Sequence, residues 1–216
     1  PISTINFLMP TADLVRQGRE KEVREVWSTI LSNTTQHVRR NMPYIFGNPG
    51  AGKTALLRYI FERADRDLDG SRFSEAQREW IRNVAVFAIT FNSSTPVSFF
   101  DLLMLKTNGI TLAPVVMRLL FAQQSAVEWP DFCQVLNQAY DAGIIDHSKF
   151  ASLGWVFQRL GLWATNGRQY VVLLVDELVK VEEGLRRRGA PEDQAEIGVN
   201  SIRHELCVTM DTAPFQ

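Results

Sequence analysis

The sequence predicts an α/β domain built on a mostly parallel sheet. Three observations point there. Short apolar runs alternate with stretches of helical periodicity. The third such run, "QYVVLLVDE", has five consecutive aliphatic residues and then two acids, which suits a strand buried on both faces. A glycine-rich segment, "FGNPGAGKT", follows the first run and opens a helical pattern, as a βα connection does.

Size and composition set the outer limits. With 216 residues the chain can bury a sizeable core in one domain. Its 45% hydrophobic and 22% charged residues are ordinary for a globular protein, and a net charge of -1 excludes a chain that is basic throughout. A local basic patch is still compatible with that balance, so charge alone leaves nucleic acid open. Two cysteines, Cys133 and Cys207, form neither a disulfide scaffold nor a zinc spacing. They read as buried thiols in an intracellular, reducing compartment, cytoplasm or nucleus. No apolar run is long enough to span a membrane.

Residues 1–40 read as an N-terminal segment and an amphipathic helix, with Val23, Val26, Trp27, Ile30 and Leu31 on one stripe. A core follows from 41 to 216. "MPYIFG" suits a buried strand, and a helix is expected from Lys53 to about Arg66. "SEAQREWIR" predicts a short helix, and "NVAVFAITFNSS" a second buried strand ending in small polar residues. From about 98 to 163 the pattern is a helical insert with breaks near Gly109, Pro114, Pro130 and Gly143. After the third strand, "LVKVEEGLRRR" and "PEDQAEIGVNSIRHEL" predict helices, the latter started by Pro191. "LCVTMD" predicts a fourth strand, after which the C-terminal part of such a fold is missing. The start at Pro1 fits a piece of a longer protein.

Gly47, Gly52, Lys53 and Thr54 match G-x-x-x-x-G-K-[ST]. Glycines let backbone N–H groups converge on an anion with no Cβ in the way, and the following helix start adds donors and a favourable dipole end. The cradle comprises Gly47, Asn48, Pro49, Gly50, Ala51, Gly52, Lys53, Thr54 and Ala55. Lys53 would reach the outer phosphates, and Thr54 would ligate Mg²⁺. Asp176 and Glu177, at the carboxyl end of a parallel strand, would face the crevice where such sheets bind ligands. Asp176 would serve the metal with Thr54, and Glu177 would accept a proton from an attacking water.

These paired motifs resemble the Walker A and Walker B motifs of P-loop NTPases, in the AAA+/STAND-like class that carries a glutamate beside the Walker B aspartate. The resemblance implies a three-layer P-loop fold with a helical insert before the Walker B strand, Mg-dependent ATP binding and ATP hydrolysis. It makes ATP the substrate, because the guanine motif N-K-x-D is absent from the sequence; a P-loop kinase is the remaining enzyme of this type. Arg19 and Glu20 in "QGREKEVREVW" stand where the class has G-R-E-x-E, although a solvated amphipathic helix explains the same residues. Asn92, ending the second strand, would be the polar residue that contacts the catalytic glutamate, or simply end a strand in a turn. Lys53, Asn92 and Glu177 are thus the implied catalytic group, and Thr209 or Asp211 the implied γ-phosphate sensor. "PYIFGNPGAGKTALLRYI", "ITFN", "VVMRLLF" and "YVVLLVDELVKVEE" are most similar to the ATPase domains of Crinkler effectors and trypanosomatid retrotransposon hot spot proteins. No nuclease domain is visible in this chain, so that activity is not implied.

Some residues keep two readings. Arg186, Arg187 and Arg188 suit a solvated helix end, a nucleic-acid contact or an arginine finger toward a neighbouring subunit. His37, His147 and His204 lack ligand spacing. A nucleotide-dependent switch with little turnover, acting through a homo-oligomer or a protein partner, is the alternative to an ATPase.

Overall fold

The computed structural model describes residues 21, 25–29, 56, 74–75, 78–79, 84–92, 94–124, 126–159 and 170–212. These fall into two compact units, one holding 87–159 and 173–212, the other the described residues before 87 together with 170–172.

In the smaller unit, Lys21 and Glu25 to Thr29 are helical, and Trp27 is buried, as the amphipathic stripe requires. Leu56, just beyond the glycine-rich segment, is helical and buried. Glu75, Arg78 and Glu79 are helical, with the Arg78 N–H donating to the Ser74 carbonyl at 3.0 Å. The expected strand at "MPYIFG" lies outside the described residues.

Strands β1 (Val84–Thr90) and β2 (Tyr170–Asp176) pair in parallel. In β1, Phe87 through Thr90 are all buried, so both faces of the strand are covered. In β2, Val172, Leu174 and Asp176 are buried while Leu173 and Val175 are half-buried. That two-residue alternation sets Asp176 on the same face as the aliphatic core residues.

Between the strands runs the helical insert. Helix α1 (Phe99–Asn108) starts from Ser98 in a reciprocal capping box with Asp101 and stops at Gly109, whose φ of 63° is the left-handed conformation of a helix C-cap. Helices α2 (Ala113–Phe121) and α3 (Trp129–Asp141) carry Pro114 and Pro130 in their first turns, where a missing N–H costs nothing. Gly143, with φ 68°, follows α3. A 3₁₀ turn (His147–Ala151) and α4 (Leu153–Arg159) complete the insert. All four sequence breaks therefore mark helix starts or stops. Helix α2 is apolar nearly all round and sits at the centre of the insert, with Val115, Val116, Met117 and Leu119 fully buried. Aromatic pairs join these elements: Phe87 to Phe157 at 5.5 Å, Phe100 to Phe150 at 5.4 Å and Phe121 to Trp129 at 5.1 Å between ring centres.

After β2 come α5 (Val179–Arg187) and α6 (Glu192–Thr212), which begins one residue after Pro191. Val181 and Leu185 of α5 and Ala195, Val199, Ile202 and Leu206 of α6 are buried, at the spacing of a helix face. The expected fourth strand at 206–211 is corrected here: the chain is helical to Thr212. The buried stripe continues to Leu206, and neither glycine nor proline interrupts residues 199–212. The β-branched Val208 and Thr209 are too few to overturn a helix already propagating. Thr209 and Asp211 therefore stand in a helix and do not close a strand. No described helix is long and apolar enough to cross a membrane.

Candidate functional site

The carboxyl ends of β1 and β2 meet. The Phe91 N–H, one residue past β1, donates to the Asp176 carbonyl at 3.2 Å. Asn92 and Glu177 are the next residues on each chain, so the register brings both to one edge of the sheet. Asp176 has 4% of its surface exposed, and Glu177 is half-buried.

Glu177 has φ 56°, the only non-glycine residue in the left-handed region among those described. A side chain there costs about 1–2 kcal/mol relative to right-handed backbone. The turn redirects the chain from strand to helix: the Glu177 carbonyl accepts from the Lys180 N–H at 2.8 Å in the turn that leads into α5. Placing the strain on an acid rather than on glycine keeps a carboxylate at the strand end.

The β1 end is a compact turn. Thr95 Oγ1 donates to the Thr90 carbonyl at 2.6 Å, the Asn92 N–H donates to Thr90 Oγ1 at 3.2 Å, and Asn92 Oδ1 accepts from the Ser94 N–H at 2.8 Å. Asn92 therefore helps form the turn that ends β1, and its amide nitrogen still carries two donors. Neither that nitrogen nor the Glu177 carboxylate has a hydrogen-bond partner among the described residues.

Beneath this edge lies a group that the sequence reading did not single out. Arg118 is 1% exposed and Asp101 wholly buried, and they pair at 3.3 Å. The guanidinium also donates to the carbonyls of Thr95 (2.8 and 3.2 Å), Pro96 (3.0 Å) and Pro114 (2.7 Å). It stacks over the rings of Phe91 at 4.0 Å and Trp129 at 4.7 Å. Burial pulls the guanidinium below its ordinary pKa, and Asp101 pulls it back. The signal was present: "SFFDLLML" and "PVVMRLLF" each carry a single charge inside an apolar helix, with opposite signs. A charge so placed needs a partner.

Cys133 is buried nearby, and burial pushes its thiol up to about 11. In a Cys207→Ser variant, alkylation of native Cys133 by iodoacetamide at pH 8 is expected to be roughly a hundredfold slower than in the unfolded chain, because so little thiolate is present. Equal native and denatured rates in a timed mass-spectrometric assay would contradict this environment.

The Arg186–Arg188 run is engaged within the chain. Arg186 pairs with Glu182 and, at 3.1 Å, with Glu192, and Arg187 pairs with Glu183. Arg188 Nε donates to the Val97 carbonyl at 2.7 Å. These contacts fit the helix-end reading better than an arginine finger. His147 and His204 are exposed.

Gly47 through Ala55, with Lys53 and Thr54 among them, lie outside the described residues, as do Arg19, Glu20 and His37. Among the described residues no three His, Cys, Asp or Glu side chains form a metal cluster. A single buried carboxylate, Asp176, is a sufficient protein ligand for Mg²⁺ only where substrate oxygens and water complete the shell. No protein-family model matches this chain, and no curated protein or solved structure matches it either.

Proposed function

We propose that this chain is a Mg-dependent ATPase domain of the AAA+/STAND-like P-loop class. The observation that carries the reading is the strand edge: a buried Asp176 and a strained Glu177 end one parallel strand, beside Asn92 at the end of its neighbour. The sequence supplies the other half, G-x-x-x-x-G-K-T from Gly47 to Thr54.

In this reading the backbone of Gly47–Ala55 and the Lys53 ammonium hold the phosphates. Thr54 and Asp176 hold Mg²⁺, which when bound neutralises charge on the triphosphate. Glu177 orients a water and takes its proton, and the Asn92 amide, whose nitrogen is uncommitted among the described residues at the neighbouring strand end, contacts the Glu177 carboxylate once substrate is seated. Catalysis is then positioning plus fixed electrostatics. Asp176 fits its role in one respect: it is an acid on a buried strand face at the end where parallel sheets bind ligands.

Calorimetric titration of MgATP into the wild type and into Lys53→Ala tests this directly. Binding by the wild type and its loss in the variant, by about a hundredfold or more, is the expected result. Equal affinity in both would overturn the proposal. Phosphate release and chromatography with and without ATP separate an enzyme from a switch. Negligible release with a change in assembly mass would favour the switch.

A further inference from the structure

Three successive backbone carbonyls after β1 are each captured by a side chain from another helix. The Thr95 carbonyl accepts from Arg118 of α2, and the Pro96 carbonyl from Arg118 and from Trp129 Nε1 of α3 at 3.0 Å. The Val97 carbonyl accepts from Arg188 at the end of α5. Ordinary loops give their carbonyls to water, so three side-chain captures in a row mark a segment held in place.

On its other side this segment is pressed onto α5. A Cβ built on Gly184 would stand 2.5 Å from Val97 Cβ and 2.6 Å from Val97 Cγ2. Val97 Cβ is bonded to the backbone, so no rotamer change moves it away. Gly184 is in the middle of α5, where alanine is ordinarily the better helix former. Glycine is required there because strap and helix touch.

We propose that Thr95–Val97 is a positioning strap that ties the Asn92 end of β1 to the helix following Glu177, so that Arg118, Gly184 and Arg188 set the geometry of the Asn92–Glu177 pair without touching substrate. This rests on the ATPase reading above. The strap makes one body of three elements: the turn at 92–95, fixed by Thr90 and Thr95; the insert, through Arg118 and Trp129; and α5, which follows the turn at Glu177.

Gly184→Ala isolates the strap, since it adds one methyl group remote from the phosphate cradle in sequence. The expected result is an unchanged Kd for MgATP, within about twofold, with kcat lowered about tenfold or more, because small displacements of a positioned group are costly in rate. Adding Val97→Gly removes the opposing Cβ and is expected to recover most of the lost kcat. The melting temperature of Gly184→Ala establishes that the chain is folded. Amide hydrogen exchange reads the strap without nucleotide: the Ser94 and Thr95 amides are expected to exchange about tenfold faster or more in Gly184→Ala.

Wild-type kcat in Gly184→Ala, or a loss of kcat that Val97→Gly does not relieve, would overturn the strap while leaving the ATPase reading intact. Unchanged exchange at Ser94 and Thr95 would overturn it whatever the nucleotide results. A wild-type chain that binds no MgATP would instead sink the ATPase reading, and with it the catalytic meaning of the strap.

Discussion

Arg118→Ala is expected to lower the free energy of unfolding by about 3–5 kcal/mol, the range for removing one partner of a buried ion pair. The size follows from what the guanidinium leaves behind. Asp101, with no exposed surface, loses its countercharge and keeps only the Ser98 N–H at 2.6 Å and the Ser98 hydroxyl at 2.9 Å. The Thr95 and Pro114 carbonyls lose side-chain donors in a site that water enters poorly. The rings of Phe91 and Trp129 lose the plane stacked against them.

Urea unfolding with an unchanged slope would report this as a shift in midpoint. Arg118→Met keeps the apolar stem and is expected to lose less. Arg118→Met with Asp101→Asn removes both charges while leaving an acceptor for the Ser98 cap, and is expected to recover much of the loss. That ordering distinguishes an unpaired buried charge from a plain cavity, because a cavity would make the double variant no better than Arg118→Met alone. Loss of less than about 1 kcal/mol in Arg118→Ala would mean that the pair is not buried as described.

How far the sequence was legible depended on whether the determining interactions were local. The β2 strand could be read from its five aliphatic residues because a strand buried on both faces needs little more than composition and length. The insert could be punctuated at Gly109, Pro114, Pro130 and Gly143 because proline and glycine act on their own backbone. At the end of the chain "LCVTMD" looks like a strand in isolation, whereas the stripe from Ala195 to Leu206 carries the helix through it. The site divides in the same way. Asp176, Glu177 and Asn92 are legible as strand-end residues because they end apolar runs. Arg118 is not, because Asp101 and the Thr95 and Pro96 carbonyls lie 17 to 23 residues away from it in sequence, and nothing in "PVVMRLLF" says which distant carbonyls it will reach. The Gly184–Val97 contact spans a still longer separation and depends on how α5 docks.

Glu177→Gln is expected to retain MgATP binding and to lose phosphate release by about 10²–10⁴-fold, the usual contribution of a positioned general base. The amide matches the carboxylate in shape but neither accepts a proton at neutral pH nor attracts a water by charge. The left-handed backbone at this residue makes a second substitution informative. Glycine adopts φ 56° without strain, so Glu177→Gly is expected to be more stable than the wild type by about 0.5–1 kcal/mol, after the greater entropy of its unfolded chain is allowed for. It is also expected to be as inactive as Glu177→Gln. A residue chosen for the turn alone would be improved by glycine with no functional loss, whereas a residue kept for its carboxylate would show gain and loss together. Single-turnover phosphate release, read beside chemical denaturation of the same two variants, makes the comparison. If Glu177→Gln releases phosphate at the wild-type rate while binding MgATP normally, the carboxylate is not the base, and the strained turn would need another explanation.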